Sequence, residues 1–395
     1  MVEMVQHGQA SAWTPAQQVV PVWTGVKPLA AVLPTGERWV LHAGPPFRSA
    51  SELPPAVRNS VLIGIVYEGW AADKSAAEAL LDAGDVKLAP AQDHDVVVPL
   101  AGVATPSMYV LEVSDNKRPV NRKYSVLNEG MQWCTRLGID ADEIVPHLSW
   151  LHQDLGARMA AQFGGNVDLA PILQAALLNG DDGHARTMYG SRLLADIIVS
   201  WGIDDETSTT FLYSAMAWAL NYWMAASALI LAAQTEAHGI VKVGGNGLRF
   251  GLQLAEQAGT WLVVDAPAIV GNKDAGNEAA QALGTIGDSA VVDFVGLGGQ
   301  CLDLASLSAK NLQAFLPVDY LSRHSQFLSQ RLPFLAGRLG ISAYDAILQN
   351  GTGPLVLLGM IDAAGARGRI GGGVATVDAH LLQQLEAWQD ETTVV

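Results

Sequence analysis

Residues 211–233 read FLYSAMAWALNYWMAASALILAA, and this stretch decides how the fold is interpreted. It carries no charged residue and is long enough to cross a bilayer as a helix. Its flanks argue against a membrane span, because the acidic residues 204–206 precede it, Glu236 follows it, and neither end has the Lys and Arg excess that orients spans. Asn221 and Ser227 also interrupt it. We therefore expect a central core helix, or a helix buried in a subunit interface, rather than a membrane helix.

The chain before this stretch has the spacing of helices. Apolar residues recur every three or four positions from 125 to about 203, which predicts helices over 127–137, 144–155, 169–178 and 187–201.

Strand-like runs lie on both sides of this helical part, because short β-branched runs there are bounded by Gly, Pro and polar residues. We predict strands at 61–67, 96–100, 108–113, 240–243, 248–254 and 260–264, helices at 73–81 and 378–389, and glycine-rich turns or loops at 244–247, 296–299 and 371–373.

These elements predict an α/β protein of the α+β type, with two α/β lobes and a small all-helical domain between them. A chain of 395 residues is long enough for two or three domains. We place an N-terminal α/β lobe at 1–124, the helical domain at 125–205, and a C-terminal α/β lobe, which contains the long buried apolar helix, at 206–395.

Composition narrows the function classes. A formal net charge of −16 repels a phosphate backbone, so we expect no nucleic-acid partner. Cys134 and Cys301 lie far apart and outside any CxxC pattern, which disfavours a disulfide framework or a zinc module. Residues 1–20 carry no export or import signal, so we expect a cytoplasmic protein. The chain has no GxSxG, HExxH or SxxK motif, which disfavours common hydrolases and zinc enzymes.

The segment Gly180-Asp181-Asp182-Gly183-His184-Ala185-Arg186 is the strongest local candidate for a site. Two carboxylates, an imidazole and a guanidinium so close together suit a metal site, a general acid–base set or an anion clamp. The alternative is an interhelical turn in which Asp181 or Asp182 caps the next helix and pairs with Arg186.

Several other positions combine polar side chains with permissive backbone. Residues 244–247 suit a tight hairpin turn or, less specifically, a nucleotide cradle. Gly287-Asp288-Ser289-Ala290, ahead of 296–299, suits an anion-binding nest or a capped helix start. His94 and His42 are lone histidines, a type that is more often structural than a ligand. Asn128-Glu129 follows a basic pair, for which a surface ion pair is the default explanation.

Ordered strings along most of the chain resemble one family. The strings are Leu41-His42-Ala43-Gly44-Pro45-Pro46, Tyr67-Glu68-Gly69-Trp70-Ala71, Pro99-Leu100-Ala101-Gly102-Val103, Pro106-Ser107-Met108, Asn121-Arg122, Leu127-Asn128-Glu129-Gly130, Gly180-Asp181-Asp182 with His184, Asn246-Gly247 with Phe250-Gly251, and Gly287-Asp288-Ser289-Ala290 with Gly296-Leu297-Gly298-Gly299. In this order they resemble the YlbE/YahG-like proteins, whose better understood members are AllG-type subunits of oxamate carbamoyltransferase in anaerobic allantoin breakdown. The chain is identified as a divergent member.

The resemblance implies carbamoyl transfer between an amide nitrogen, such as that of oxamate, and phosphate. Such a reaction needs donors on the developing oxyanion and contacts to an anionic substrate. It implies a small anionic amide or carbamoyl substrate, with phosphate as a further ligand and other carbamoyltransferase subunits as partners. We also expect a homodimer, and neither a cofactor nor a metal. The catalytic candidates are Asp181, His184, Arg186 and Asp288, and the substrate-binding candidates are His94, Asn128, Glu129, Asn246, Gly247, Ser289, Gly298 and Gly299.

This chain departs from the family pattern at two places. Relatives carry an Asn-Thr-Gly-Ile-Ala-His-Lys-like stretch where this chain reads Leu357-Leu358-Gly359-Met360-Ile361-Asp362-Ala363, and His-Asn-Arg-Asn where it reads His184-Ala185-Arg186-Thr187. These changes imply another substrate or a loss of catalysis. The alternatives to a carbamoyltransferase are therefore an amide hydrolase or cyclase of a specialised pathway, a non-catalytic subunit of a multi-chain carbamoyltransferase, and a small-molecule binding protein.

Overall fold

The computed structural model describes residues 13–128, 133–334 and 337–388. Helices and strands are mixed along these residues. The α-helices are α1 (Pro55–Tyr67), α2 (Lys74–Asp82), α3 (Ile144–Leu148), α4 (Ala157–Ala161), α5 (Leu169–Leu178), α6 (Met188–Ser200), α7 (Glu206–Ser214), α8 (Trp218–Leu231), α9 (Ala290–Phe294), α10 (Ser306–Leu312), α11 (Tyr344–Asn350) and α12 (Ala379–Leu382). A π-helical segment, Ser149–Gly156, joins α3 to α4.

The strands form sheets on both sides of the helical part. The strands are β1 (Pro21–Pro28), β2 (Trp39–His42), β3 (Lys87–Pro90), β4 (Val96–Val97), β5 (Val103–Ala104), β6 (Tyr109–Asp115), β7 (Arg118–Val126), β8 (Val167–Asp168), β9 (Ile240–Asn246), β10 (Arg249–Leu254), β11 (Leu262–Asp265), β12 (Val270–Lys273), β13 (Ile286–Gly287), β14 (Leu328–Ser329), β15 (Ile341–Ser342), β16 (Leu355–Ile361), β17 (Arg369–Thr376) and β18 (Glu386–Ala387).

Two five-stranded sheets dominate. Their strand orders are β4-β7-β6-β1-β8 and β13-β9-β10-β11-β18, and smaller sheets have the orders β3-β2-β5, β12-β17-β16 and β14-β15. The β2–β3 and β4–β7 pairs are parallel, whereas the other pairs are antiparallel. The mixture of helices with several sheets confirms the predicted α/β class. The domain boundaries at 124 and 205 stay predictions.

The apolar stretch forms two helices instead of the single helix that its composition suggests. Every side chain of α8 is buried, and α8 packs against β6 and β7 of the first sheet and β9 of the second. The core-helix prediction is therefore confirmed, but its continuity is wrong. A tertiary contact stabilises the new helix start, because Ser191 Oγ of α6 accepts a hydrogen bond from Ala219 N–H at 2.9 Å and so satisfies a donor in the first turn of α8.

No helix among the described residues is by itself long and apolar enough to cross a membrane. The α7 and α8 pair would pass that test by length and composition together, but the two helices are bent by 64° at the break between them.

Most of the other predicted elements are confirmed within a few residues. The predicted helices at 73–81, 169–178 and 187–201 are α2, α5 and α6, and the one at 144–155 is α3 with the π-helical segment. The predicted strands at 96–100, 108–113, 240–243, 248–254 and 260–264 are β4, β6, β9, β10 and β11.

The strand predicted at 61–67 is wrong, because these residues form the second half of α1. The helix begins with Pro55 in its first turn and is buried on more than one face, so its β-branched run has neither the polar face nor the apolar stripe that marks a surface helix. Gly64 lets α1 approach β5, since a Cβ at this position would lie 3.0 Å from Thr105 Cγ2.

Two predicted helices are shorter than expected. Of the helix predicted over 127–137, residues 129–132 lie outside the described part, and residues 135–137 form a single 3-10 turn. The helix predicted over 378–389 ends at Leu382, and the chain then adds β18 to the edge of the second sheet, where Val263 pairs with Glu386. At this end of the chain, strand pairing with β11 takes the place of the last predicted helical residues.

Two glycine runs that we predicted as turns lie partly or wholly in strands. Gly244 and Gly245 belong to β9, and residues 371–373 belong to β17. Their glycines permit main chains to approach without side chains between them: a Cβ on Gly244 would lie 3.3 Å from the Gly44 Cα, and one on Gly44 would lie 2.3 Å from the Gly245 carbonyl carbon.

Candidate active site

The loop between α5 and α6 is held in place by its own carboxylates. Asp181 accepts hydrogen bonds from the Tyr189 and Gly190 N–H groups at 3.2 and 2.9 Å, and so satisfies donors in the first turn of α6. Burial raises the pKa of Asp181, and these backbone hydrogen bonds offset part of the increase. The capping interpretation of this segment therefore describes Asp181.

Asp182 organises the rest of the loop. One carboxylate oxygen accepts from the His184 and Arg186 N–H groups at 2.7 and 3.0 Å, and the other accepts from the Ser308 hydroxyl at 2.7 Å. The side chain is fully buried. Asp182 thus joins the loop to α10 and fixes the backbone from which His184 projects.

His184 forms a buried pair with a carboxylate that the sequence did not single out. Its Nδ1 lies 2.6 Å from Asp293 Oδ2, and both side chains are at most 5% exposed. Within the described residues, the Nε2 of this ring makes no hydrogen bond. A carboxylate on Nδ1 fixes the orientation of an imidazole and leaves Nε2 for proton transfer, which is how His–Asp pairs act in many enzymes.

Asp293 lies in the last turn of α9 and is wrapped by a glycine loop. Its Oδ1 accepts from Gly299 N–H at 3.1 Å, and a Cβ on Gly298, whose φ is +58°, would lie 2.0 Å from that oxygen. Burial raises the pKa of Asp293, and the His184 charge and hydrogen bond lower it. Gly298 and Gly299 therefore act as close-packed backbone around this carboxylate.

Arg186 is the cation of the loop. Its side chain is partly exposed, and within the part of the chain that the structure describes its guanidinium has no hydrogen bond or ion pair. A planar guanidinium without a protein partner is suited to bidentate contact with a carboxylate or phosphate.

Asp288 is the centre of a second polar group, and it directly precedes Ser289, the N-cap residue of α9. Its Oδ1 accepts from Gly44 N–H at 2.9 Å and from the Gln92 amide at 2.7 Å, and its Oδ2 accepts from Val98 N–H at 2.9 Å. Burial raises its pKa to about 7, although these donors lower it. All three donors come from the N-terminal part of the chain, so Asp288 connects that part to α9.

Asn246 and Gly247 close the turn between β9 and β10. The Asn246 Oδ1 accepts from the Leu248 and Arg249 N–H groups at 3.0 and 2.8 Å, and its Nδ2 donates to the Pro45 carbonyl at 2.9 Å. Gly247 has a φ of +89°, which this turn requires. These two residues border the Asp288 centre through the 44–45 segment.

The remaining predicted residues lie in separate surroundings. His94 is partly exposed and its ring lies 4.7 Å from that of Trp39, while burial lowers its pKa. Asn128 is buried, and its carbonyl accepts from Asn221 Nδ2 at 2.8 Å. Glu129 lies outside the described residues. Ser289 is buried at the start of α9.

Only some of the predicted residues are brought together, and they form two groups. His184, Gly298 and Gly299 meet around Asp293, and Asp288 and Asn246 contact the Gly44–Pro45 segment. Among the described residues, no group of three or more His, Cys, Asp or Glu side chains is arranged to hold a metal ion.

Comparison with known proteins places the chain in a family. The model of the family described as oxamate carbamoyltransferase subunit AllG matches residues 86–289, which is more than half of the chain. The chain belongs to the AllG family. The family resemblance that the ordered strings carry is therefore confirmed.

Two relatives and one solved structure show how far this family member has diverged. It is 26% identical to the oxamate carbamoyltransferase subunit AllG of Escherichia coli over 98% of both chains. It is 29% identical to the uncharacterized protein YahG of Escherichia coli, over 71% of this chain and 61% of YahG. A conserved protein of unknown function from Enterococcus faecalis has a similar fold, with a TM-score of 0.84, 24% identity and 93% coverage of both chains.

The matched region of this AllG-family protein ends at Ser289, the N-cap residue directly before α9. It includes the 180–187 loop and Asp288, whereas Asp293 and the 296–299 loop lie a few residues beyond. Residues 357–363, where we expect this chain to depart from the family pattern, also reach the site, because Leu357 N–H donates to Asp293 Oδ1 at 3.4 Å. The expected departure would therefore lie beside the carboxylate that holds His184.

Proposed function

We propose that this protein is an enzyme, or the active subunit of one, that transfers a carbamoyl group between the nitrogen of a small anionic amide such as oxamate and phosphate. The observation that carries the proposal is the buried His184–Asp293 pair, in which His184 Nε2 has no hydrogen-bond partner among the described residues. Arg186, two residues further along the same loop, has a guanidinium without a hydrogen bond or ion pair in the described part of the chain. Membership of a family described as an oxamate carbamoyltransferase subunit supports the substrate class.

The pair suits the proton transfers of such a reaction. A phosphate oxygen attacks the carbonyl carbon of the N-carbamoyl group and forms a C–O bond. His184 Nε2 accepts the proton that the hydrogen phosphate loses as it attacks. The C–N bond then breaks, and the departing amide nitrogen takes this proton from His184 Nε2. Asp293 keeps Nδ1 protonated and stabilises the charged ring, and Arg186 binds the anionic reactant. The alternative of an amide hydrolase or cyclase uses the same residues, with water or an internal group as the nucleophile.

The proposal is tested by replacing His184 and Arg186 and measuring phosphate-dependent turnover. His184→Gln is expected to lower turnover at least 10³-fold, since it removes the proton carrier, and Arg186→Gln is expected to raise KM for the anionic reactant about 10-fold or more. Arg192→Gln is the matched control, because Arg192 is an exposed arginine on α6, the helix that follows the loop. Unaltered activity in both site variants would remove this site from the reaction.

A second candidate is a non-catalytic subunit, and the surface around the loop favours it. Large apolar side chains next to the loop are exposed, and they are Leu178, Met188, Tyr189 and Met216. Met216 is joined to the loop, since its carbonyl accepts from the Thr187 hydroxyl at 3.1 Å. An apolar surface around a site suits contact with another chain, either a different subunit or a second copy in a homodimer.

The two candidates differ in what a reconstituted complex would show. The complex is assembled once with the wild-type chain and once with His184→Gln, and turnover is compared. A complex that loses activity with His184→Gln supports the catalytic role. A complex that stays fully active, while the isolated chain is inactive, supports the non-catalytic role.

A further inference from the structure

Gln300 is a buried glutamine that directly follows the 296–299 loop, and its residue is only 3% exposed. Its Nε2 donates to three carbonyl oxygens, those of Asp293 at 3.1 Å, Leu297 at 3.1 Å and Leu355 at 3.2 Å. Its Oε1 accepts from the Leu355 N–H at 3.0 Å. One side-chain amide therefore joins the last turn of α9, the 296–299 loop and the first residue of β16.

A carboxamide is suited to this set of contacts, because it carries both a donor and an acceptor. Leu355 presents its N–H and its carbonyl to the same side chain, so Gln300 pairs with the start of β16 much as a neighbouring strand would. An ionised carboxylate lacks the donor, and an apolar side chain lacks both groups. Loss of the amide would remove one partner from three carbonyl groups and one N–H group at a buried position.

The segments that Gln300 joins are those that surround the Asp293 carboxylate. Gly299, which directly precedes Gln300, donates its N–H to Asp293 Oδ1 at 3.1 Å. Leu357, the third residue of β16, donates to the same oxygen at 3.4 Å. The other carboxylate oxygen, Oδ2, lies 2.6 Å from His184 Nδ1. A continuous set of hydrogen bonds and short backbone links therefore runs from the Gln300 amide to the imidazole.

The orientation of the Asp293 carboxylate depends on where these segments lie. Both backbone donors bind Oδ1, so a shift of the 296–299 loop or of β16 changes the direction from which Oδ2 meets the imidazole. Groups that act in proton transfer need support from their neighbours, because a displacement of about 1 Å can cost a large factor in rate.

We propose that Gln300 is a positioning residue of the reaction, which holds the 296–299 loop and β16 against Asp293 and so fixes the geometry of the Asp293–His184 hydrogen bond. This inference rests on the proposed function. Gln300 transfers no proton and acts through Asp293, whose carboxylate orients the imidazole.

The kinetic test uses Gln300→Met, which keeps nearly the same length but carries no amide. It is expected to lower kcat about 10-fold with KM changed less than threefold, because Asp293 supports proton transfer rather than ground-state binding. Gln253→Met is the matched control. Gln253 is also buried, its Nε2 donates to Asp93 at 3.1 Å, and its Oε1 accepts from Gly259 N–H at 3.1 Å. Both variants lose buried hydrogen bonds, so a difference in kcat between them reports on the site.

The proton on His184 Nδ1 gives a readout that does not depend on turnover. A proton in a short hydrogen bond between an imidazole and a carboxylate resonates far downfield of other N–H protons in an NMR spectrum. The signal is assigned by its absence in His184→Gln. In Gln300→Met the resonance is expected to move upfield or to disappear through exchange with water, whereas Gln253→Met is expected to keep it at the wild-type position.

Gln300→Glu serves if the methionine variant does not fold. A buried carboxyl group favours its neutral form, which has one donor and one acceptor, so this variant is expected to keep the resonance and to lose less than about fivefold in kcat.

The outcomes separate this inference from the proposed function. If His184→Gln is inactive but Gln300→Met matches Gln253→Met in kcat or in the resonance, the inference is overturned and the proposed function stands. If His184→Gln is fully active and Gln300→Met loses the resonance, the proposed reaction is overturned, and Gln300 still holds the His184–Asp293 pair.

Discussion

Asp288 lies just before α9 and Asp293 lies in its last turn; both are fully buried, and burial raises the pKa of both. Their partners differ. The Asp288 carboxylate accepts hydrogen bonds from Gly44 N–H, Val98 N–H and the Gln92 amide, and none of these donors titrates. Asp293 binds an imidazole whose second nitrogen has no partner among the described residues.

This difference distinguishes a carboxylate that holds parts of the chain together from one that supports chemistry. Donors that come only from backbone and amide groups cannot exchange protons at neutral pH, so the contacts of Asp288 favour a structural role over the catalytic one that we predicted from its sequence context. An imidazole can exchange protons. Asp293, which the sequence did not indicate, therefore has the stronger geometry for function.

The largest expected effect is on turnover at the Asp293 side. Asp293→Asn keeps the shape but loses the charge that orients His184, and turnover is expected to fall roughly 10³-fold while the protein stays folded. The matched control is Asp345→Asn, because Asp345 binds His238 Nδ1 at 2.8 Å in an exposed pair. If steady-state kinetics showed equal turnover for the two variants, the comparison between the carboxylates would fail.

The next effect is on stability at the Asp288 side. Asp288→Ala leaves three buried donors without an acceptor, and the free energy of unfolding in urea is expected to fall by about 3 kcal/mol or more. Asp73→Ala, which removes the exposed N-cap of α2, is expected to cost about 1 kcal/mol. An Asp288→Ala variant as stable as Asp73→Ala would contradict the structural role.

The pH dependence of stability separates the same two roles. Because the pKa of Asp288 is raised to about 7, the folded protein holds a proton between about pH 4 and pH 7 that the unfolded chain has released. The corresponding contribution to stability is present at low pH and is lost as the pH rises through this window, at no more than about 1.4 kcal/mol per pH unit.

Asp288→Asn removes this titration. The wild-type protein is therefore expected to lose stability relative to Asp288→Asn as the pH rises from about 4 to 7. The difference between the two proteins isolates Asp288 from His42, whose pKa is lowered by burial to about 4 and whose effect on stability has the opposite sign. Parallel curves of unfolding free energy against pH would contradict the raised pKa.

The smallest expected effect concerns the support of the loop. Ser308→Ala removes one of three donors to Asp182 and is expected to lower stability by about 1 kcal/mol and turnover only a few-fold. Thermal unfolding and steady-state kinetics on one preparation measure both. A loss as large as that of Asp293→Asn would mean that the position of the whole loop, rather than the His–Asp pair, limits the reaction.

Much of the fold was predictable from local pattern, and the failures have tertiary causes. Strands with polar borders and helices with an apolar stripe were found at nearly the right places. The break before α8 was not, because the new helix start is stabilised by Ser191, which lies far away in the sequence. The strand predicted at 61–67 failed because a helix buried on several sides loses its amphipathic period.

The candidate site was predicted in part for a similar reason. The 180–187 loop stands out by its residue types, whereas Asp293 is a single acid in the apolar run Val291-Val292-Asp293-Phe294-Val295 and matches no motif. The one sequence signal for Asp293 is a charged residue inside an apolar run, because a charge in a buried run needs a specific partner. The identity of that partner, His184, is a contact across 109 positions, which no local pattern carries.

The contact between Gly44 and Gly245 limits how this molecule can move. A methyl group on Gly44 would lie 2.3 Å from the Gly245 carbonyl carbon, so the main chains of the N-terminal and C-terminal parts meet with no side chain between them. No side chains lie at this contact to accommodate a sliding movement of the two parts. A hinge rotation across it would make the two main chains clash. We therefore expect the two parts to move together, without a hinge opening between them.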